Sequence, residues 1–195
     1  MNERGDTEKL LDLIKEKGIL PGEFTLSAGG KAFIFFDLKK ILLWPEGAYL
    51  VGKKMFELIV DEGVKAVGGY GLGGCLIVTA VVAFSFLKGK PISGLEVVER
   101  EKLRQDDPQR YEDAKYVVKG HLSLSGDRVA IVDDVISTGR AIFIAIEVVE
   151  SKGCQVTAIR TILDRQMGGS EELRRKGYNF KALLRADTSG NVYIN

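Results

Sequence analysis

The spacing of apolar positions changes character along the chain. After Thr7, whose side chain has the chemistry of an N-cap, Leu10, Leu11, Ile14 and Ile19 recur at helical spacing and predict a first helix ending near Gly18. The stretch FTLSAGGKAFIFFDL, residues 24–38, mixes Gly, Ser and aromatics and predicts a short hairpin or loop pair. A second helix follows from about Glu46 to Asp61. Beyond it the pattern becomes regular. VKAVGGYG, PISGLEVV, RVAIVDD, CQVTAIRTILD and NFKALLRA are short β-rich or apolar runs, and helix-period segments at 75–88 and 140–152 lie between them. Strands alternating with helices predict an α/β chain whose mostly parallel central sheet is covered on both faces by helices. Ligands bind such sheets beyond the carboxyl ends of the strands.

One segment breaks this rhythm. From Glu99 to Gly120 the chain reads EREKLRQDDPQRYEDAKYVVKG, dense in charge and interrupted by Pro108, which predicts either a mobile lid or a surface excursion. There is no internal repeat and no low-complexity tract.

Composition narrows the picture. A chain of 195 residues suits one well-packed domain, expected to span 1–195. With 28 Lys and Arg against 27 Asp and Glu, no global field favours nucleic acid or an anionic membrane, so any bound anion must be held locally. Cys75 and Cys154 lack CxxC spacing and sit in apolar contexts, as reduced core thiols do. The charged, helix-patterned N-terminus has no apolar block long enough for a signal peptide or a membrane span. A soluble, cytoplasmic protein is expected.

VAIVDDVISTGRAI, residues 129–142, is the stretch richest in chemistry. Val129, Ala130, Ile131 and Val132 predict a buried strand with Asp133 and Asp134 at its carboxyl end, and Ser137, Thr138 and Gly139 open the following helix. A helix N-terminus presents unpaired N–H groups and partial positive charge, so this loop suits a phosphate. Carboxylates only accept hydrogen bonds and so want hydroxyls or a cation. A sugar diol with a phosphate one ribose length away satisfies both halves. Turn capping by one Asp, with the other merely solvated, is the plainer alternative. A Walker-type metal site lacks its GxxxxGK[ST] partner anywhere in the chain. A second glycine-rich stretch, GYGLGG, places Gly69, Gly71 and Gly74 in G-x-G-x-x-G spacing, with Glu96 and Glu99 at a distance suited to a ribose. It fits a Rossmann dinucleotide loop or, equally, a backbone cradle for pyrophosphate.

Val129 to Ile142 resembles the phosphoribosyl pyrophosphate signature of type I phosphoribosyltransferases, and within them the chain resembles the orotate phosphoribosyltransferases. FTLSAGGKAFIFFD is similar to that family's N-terminal hood segment, GYGLGG to its pyrophosphate loop, and LDRQMGG to its D-R-x-x-G-G element. The resemblance implies the type I phosphoribosyltransferase fold with a small hood at about 1–40 and a mobile loop at about 99–120. It also implies transfer of phosphoribose from phosphoribosyl pyrophosphate to orotate, giving orotidine 5′-phosphate. Carried over by position, Asp133 and Asp134 hold the ribose hydroxyls, Val135, Ile136, Ser137, Thr138, Gly139, Arg140 and Ala141 wrap the 5′-phosphate, and Gly73 and Gly74 face the pyrophosphate. Ser137 and Arg165 contact orotate, with Phe35 and Phe36 along its ring. The plainer alternatives are an Arg165–Asp164 pair and simple core packing of both phenylalanines. Mg²⁺, held mainly by substrate and water rather than by dedicated side chains, and a homodimer whose lid reaches the neighbouring site are also implied.

The chain departs from the family in its lid. Where the family reads R-K-E-x-K-x-H-G, REKLRQDD supplies Arg100, then Glu101 for a lysine, Arg104 for the next lysine and Asp106 for the histidine, and the hood lysine is replaced by Ser27. Acidic groups facing a pyrophosphate leaving group oppose its developing charge. Arg100, Lys102 and Arg104 are therefore the lid's catalytic candidates, with Arg110, Lys115, Lys119 and His121 as possible substitutes. A related enzyme with another base acceptor, or a regulator that binds phosphoribosyl pyrophosphate without turnover, is the alternative function. A nicotinamide-dependent Rossmann enzyme is a third.

Overall fold

The computed structural model describes residues 3–25, 31–111, 114–120 and 126–195. In chain order they form α1 (Glu3–Leu13) closed by a π-helical turn (Ile14–Gly18), β1 (Ile19–Thr25), β2 (Lys31–Phe36), α2 (Lys39–Leu42), α3 (Pro45–Ile59), β3 (Ala66–Tyr70), α4 (Gly71–Leu87) and β4 (Ser93–Glu99). Then follow β5 (Tyr116–Gly120), β6 (Arg128–Ile136), α5 (Arg140–Ser151), β7 (Gln155–Asp164), α6 (Gly169–Arg175), β8 (Phe180–Ala186) and β9 (Val192–Ile194).

β1 and β2 form a two-stranded antiparallel hairpin, and the other strands form a seven-stranded sheet in the order β5-β4-β3-β6-β7-β8-β9. β4, β3, β6, β7 and β8 run parallel, while β5 and β9 pair antiparallel to the edges. The period-2 geometry of a strand explains why β6 reads as an unbroken apolar run. Ala130 and Val132 enter the core beneath α1, α3 and α4, with Leu10, Ile14 and Ile59, while Val129 and Ile131 enter the core beneath α5, with Ile142, Ile146 and Val149. α1 thus belongs to the main core, and the hairpin alone forms a separate sheet above it.

Counted in chain order, the parallel strands lie 2-1-3-4-5, so the order reverses between β3 and β6. Such a switch point opens a crevice at the strands' carboxyl ends, because the helices that follow the two strands leave to opposite faces. The 3-2-1-4-5-6 order of the Rossmann dinucleotide fold is absent, which removes that reading of GYGLGG.

Four expectations need correction. α1 begins at Glu3, so Thr7 lies inside it and caps nothing. α4 begins at Gly71, four residues early, because the glycine-rich segment forms the helix's first turn. β6 continues through Asp133 and Asp134 to Ile136, since β7 keeps pairing with it as far as Asp164. Finally, the charged segment 99–120 ends in β5, which returns antiparallel along β4 from Glu99↔Tyr116 to Leu95↔Gly120.

Candidate active site at the switch point

β3 pairs with β6 only as far as Gly68↔Ile131, so the last residues of β6 have β7 on one side and the opening crevice on the other. The two carboxylates sit there on successive strand residues, near enough to each other for their side chains to interact, yet with different surroundings. Asp133 is 7% exposed and lines a cavity of about 390 Å³. Asp134 turns to the first turn of α4, where a Cβ on Gly73 would stand 2.6 Å from its Cγ. Only glycine fits at Gly73 without moving the carboxylate. Backbone donors steady the pair: Asp134 N–H donates to Asp133 Oδ1 at 3.0 Å, and Val135 N–H to Asp134 Oδ1 at 2.9 Å. Burial, reinforced by the charge of Asp134, pushes the Asp133 carboxyl well above the usual range. Burial also raises Asp134, against the opposing pull of Lys39.

Val135, Ile136, Ser137, Thr138, Gly139, Arg140 and Ala141 all line the cavity that Asp133 enters. Gly139, with φ of 81°, is the N-cap of α5, and the helix's free N–H groups therefore open toward this loop. A second loop braces it. Gly169 N–H donates to the Ser137 carbonyl at 2.9 Å, and a Cβ on Gly169 would stand 2.6 Å from that oxygen. Gly169, the last residue of DRQMGG, is thus what lets the two loops touch.

Arg165 lines this cavity and also a second one of about 400 Å³ between the hairpin, the loop after β7 and the β8–β9 turn. Its backbone N–H donates to the Ile136 carbonyl at 2.9 Å, and its guanidinium stands over the Phe36 ring, 5.4 Å from the centroid. The expected alternative, a pair with Asp164, does not form: Asp164 Oδ1 instead accepts Gln166 N–H at 2.8 Å. Among the described residues no carboxylate pairs with Arg165, and burial lowers its pKa. Phe36 and Phe33 line the second cavity, but Phe35 lines neither. It packs on Phe24 at 5.4 Å and under Lys39, because side chains alternate along β2.

The lid candidates stand apart. Lys102 pairs with Glu99 at 3.0 Å, Arg104 forms a two-pronged pair with Asp106 at 3.0 Å, and the Arg100 N–H donates to the Lys115 carbonyl. None of Arg100, Lys102 and Arg104 lines the cavity. Lys119 pairs with Asp107, and Arg110 donates to the carbonyls of Glu101 and Leu103, so these substitutes are engaged within the segment too. Ser27 and His121 lie outside the described residues. Gly73 and Gly74 lie in the first turn of α4, behind Asp134 rather than on the cavity wall.

Four cavity residues have no counterpart in the sequence reading of the site: Tyr70, Ile144, Met167 and, in its observed role, Glu99. Tyr70 donates its hydroxyl to Glu99 at 2.7 Å, and burial raises that phenol to about 12, so it remains a donor. Glu99 is held below the usual range by Tyr70 and Lys102. Only the close of the sheet brings these residues together, although Tyr70, as the last residue of β3, carried a positional hint.

Among the described residues no group of three or more His, Cys, Asp or Glu converges as a metal cage. The oxygen donors at the end of β6 are the carboxylates of Asp133 and Asp134, which suit a hard divalent cation ligated chiefly by substrate oxygens and water.

No family model matches the chain. It is 33% identical over 98% of its length to the orotate phosphoribosyltransferase of Rhodopseudomonas palustris (strain TIE-1), all of which it covers. The orotate phosphoribosyltransferase of Aquifex aeolicus is 32% identical over 92% of this chain and 95% of its own. Among solved structures, Mycobacterium tuberculosis orotate phosphoribosyltransferase in complex with phosphoribosyl pyrophosphate superposes with a TM-score of 0.73 at 26% identity, covering 92% of this chain and 96% of that one. The adenine phosphoribosyltransferase of Thermoanaerobacter pseudethanolicus shares the fold, with a TM-score of 0.65 at 20% identity over 90% of this chain and 99% of its own.

Proposed function

The chain belongs to the orotate phosphoribosyltransferase family and transfers phosphoribose from phosphoribosyl pyrophosphate to orotate, and we propose that the residues gathered at the β3–β6 switch point carry out that transfer. Asp133 accepts hydrogen bonds from the ribose hydroxyls. The residues from Val135 to Ala141 receive the 5′-phosphate on backbone N–H groups and the positive end of α5. Asp134 and the first turn of α4, kept close by Gly73, form the wall on the pyrophosphate side. Arg165 receives the carboxylate of orotate as a planar fork, above Phe36.

The reaction breaks the C1′–oxygen bond to pyrophosphate and forms a C1′–nitrogen bond to the base, through a transition state with cationic character on the sugar. Such a step needs positioning and charge stabilisation more than a strong base. Lys102, Arg104 and Arg100 reach the leaving group only when the lid exchanges its internal pairs for substrate. Mg²⁺ fits as the cofactor: held chiefly by substrate oxygens and water beside the carboxylates at the end of β6, it would neutralise the pyrophosphate when bound.

One observation carries the base assignment. A partly buried guanidinium without a carboxylate partner among the described residues stands between two cavities, one lined by the Asp133 carboxylate and the phosphate loop. Following orotate absorbance with Mg²⁺ and phosphoribosyl pyrophosphate tests it. Arg165→Ala is expected to raise KM for orotate roughly tenfold or more, the scale of a hydrogen-bonded charge, while binding of phosphoribosyl pyrophosphate persists. An unchanged KM for orotate rejects the assignment.

A homodimer fits the outward face of α4. Leu72, Thr79, Ala83 and Phe86 form an exposed stripe at helical spacing with no charge, where a helix facing solvent would carry polar groups. Neither Cys75 nor Cys154 is in a disulfide, which accords with work in the reducing cytoplasm.

A further inference from the structure

Asp164 ends β7 as a carboxylate 4% exposed, held on the last rung of the sheet opposite Ile136 of β6 and Arg185 of β8. Here Oδ1 is spent on Gln166 N–H at 2.8 Å. That bond closes a tight side-chain turn around Arg165. Gln166 adopts φ of 52°, and it is the one non-glycine residue with positive φ among those described. An L residue holds this conformation only where its surroundings fix it. On the other side, Arg165 N–H is fixed to the Ile136 carbonyl at 2.9 Å. The arginine backbone is therefore held by two hydrogen bonds within two residues, and its side chain is left to Phe36 and the cavities.

We propose that Asp164 is the positioning residue of the base site: by capping the turn at Gln166 it aims the Arg165 guanidinium into the cleft and leaves it unpaired for an aromatic carboxylate. The inference rests on the reading that Arg165 binds orotate. It predicts that the acceptor oxygen matters and the charge does not. Asn keeps that oxygen with the same reach, and Ala removes it.

The test compares KM for orotate with calorimetric Kd for phosphoribosyl pyrophosphate in Mg²⁺, using intact protein. Asp164→Ala is expected to raise KM for orotate roughly tenfold, as loss of one ordering contact to a charged group does, with Kd for phosphoribosyl pyrophosphate unchanged. Asp164→Asn is expected to restore the wild-type KM. Should Asp164→Ala not fold, Gln166→Pro at an exposed position opens the same turn from the other side, since proline has no N–H and cannot take positive φ. It too should raise KM for orotate alone. The inference is overturned if the variant that breaks the turn leaves KM for orotate at its wild-type value, if it weakens both substrates equally, or if Asn behaves as Ala does. Arg165→Ala separates the two readings. If it raises KM and the turn variants do not, the positioning role alone fails; if it has no effect, the base site itself is misassigned.

Discussion

Asp133 shows how one residue serves function against stability. Its carboxyl is buried and its neighbour is a second carboxyl, so both desolvation and charge favour the proton. An acid whose folded pKa lies above its unfolded value binds more protons in the folded state between the two. Stability therefore falls as pH rises from near the ordinary 3.8 toward the raised value, and the penalty stays in full above it. Asp133→Asn removes the penalty while keeping the shape. It should melt higher than wild type at neutral pH, by about 2–4 °C per kcal/mol relieved in a chain of this size. The gap should close toward about pH 4, where both forms carry an uncharged side chain. Phosphoribosyl pyrophosphate binding should be lost at the same time. Melting curves from pH 4 to 8 with matched calorimetry check both halves, and a variant less stable than wild type at neutral pH contradicts the account. The importance of this residue was legible in the sequence, because adjacent acids at the end of an apolar run before a hydroxyl-rich loop are costly unless used. That Asp133 alone of the two lines the cavity was not, since it required β6 to continue past Val132 on the strength of its pairing with β7.

At the scale of elements, the strands that cross the core were legible and the edges were not. β3, β6 and β7 are apolar on both faces because helices cover both, which gives continuous runs that need no partner to be recognised. β5 lies at the sheet edge, and its Lys119 pairs with Asp107 of the preceding segment, so its pattern drowns in the surrounding charge. The same segment shows why the lid's cations could not be ranked from spacing alone. Acids at Glu99, Asp106 and Asp107 hold Lys102, Arg104 and Lys119. The Arg104 pair is so exposed that screening leaves it little strength, which suits a group that must leave it. Glu101 stands where the family carries a lysine, and with the lid closed as proposed it would bring negative charge toward the departing pyrophosphate. Glu101→Lys should raise kcat severalfold with little change in melting temperature, as added positive charge at a developing anion does. Steady-state turnover at saturating substrates reads the effect, and a fall in kcat would show that the acid serves the lid.

For the whole molecule, interior and exterior tell different stories about assembly. The interior is closed upon itself: Arg160, fully buried, donates to the carbonyls of Leu58, Ile159 and Asn179 and pairs with Glu62 at 2.7 Å, tying α3, β7 and the start of β8 together. The outer face of α4 is different. Over four turns Leu72, Thr79, Ala83 and Phe86 face outward without a charge, and Leu87 adds to the patch, with Phe86 and Leu87 each 76% exposed. A helix apolar all round is stable in water only when both faces are covered. A second copy of the same face, related by a two-fold axis, would cover it, and a stable pair needs about 800 Å² from each partner. Ala83 lies mid-stripe, so Ala83→Arg places one charge from each copy near the axis without touching the core. That variant should sediment at the 21.4 kDa of a single chain where the wild type sediments at twice that mass. Because the family resemblance implies a lid that serves the neighbouring site, turnover of the variant should fall while its affinity for phosphoribosyl pyrophosphate, assigned here to β6 and α5 of one chain, remains. Mixing an Asp133→Asn protein with one whose Arg100, Lys102 and Arg104 are replaced by Ala distinguishes assembly from chemistry. Mixed dimers carry one intact site reached by one intact lid, so activity should appear that neither parent has. Its absence, with mixed dimers demonstrated, would mean that each lid closes on its own chain.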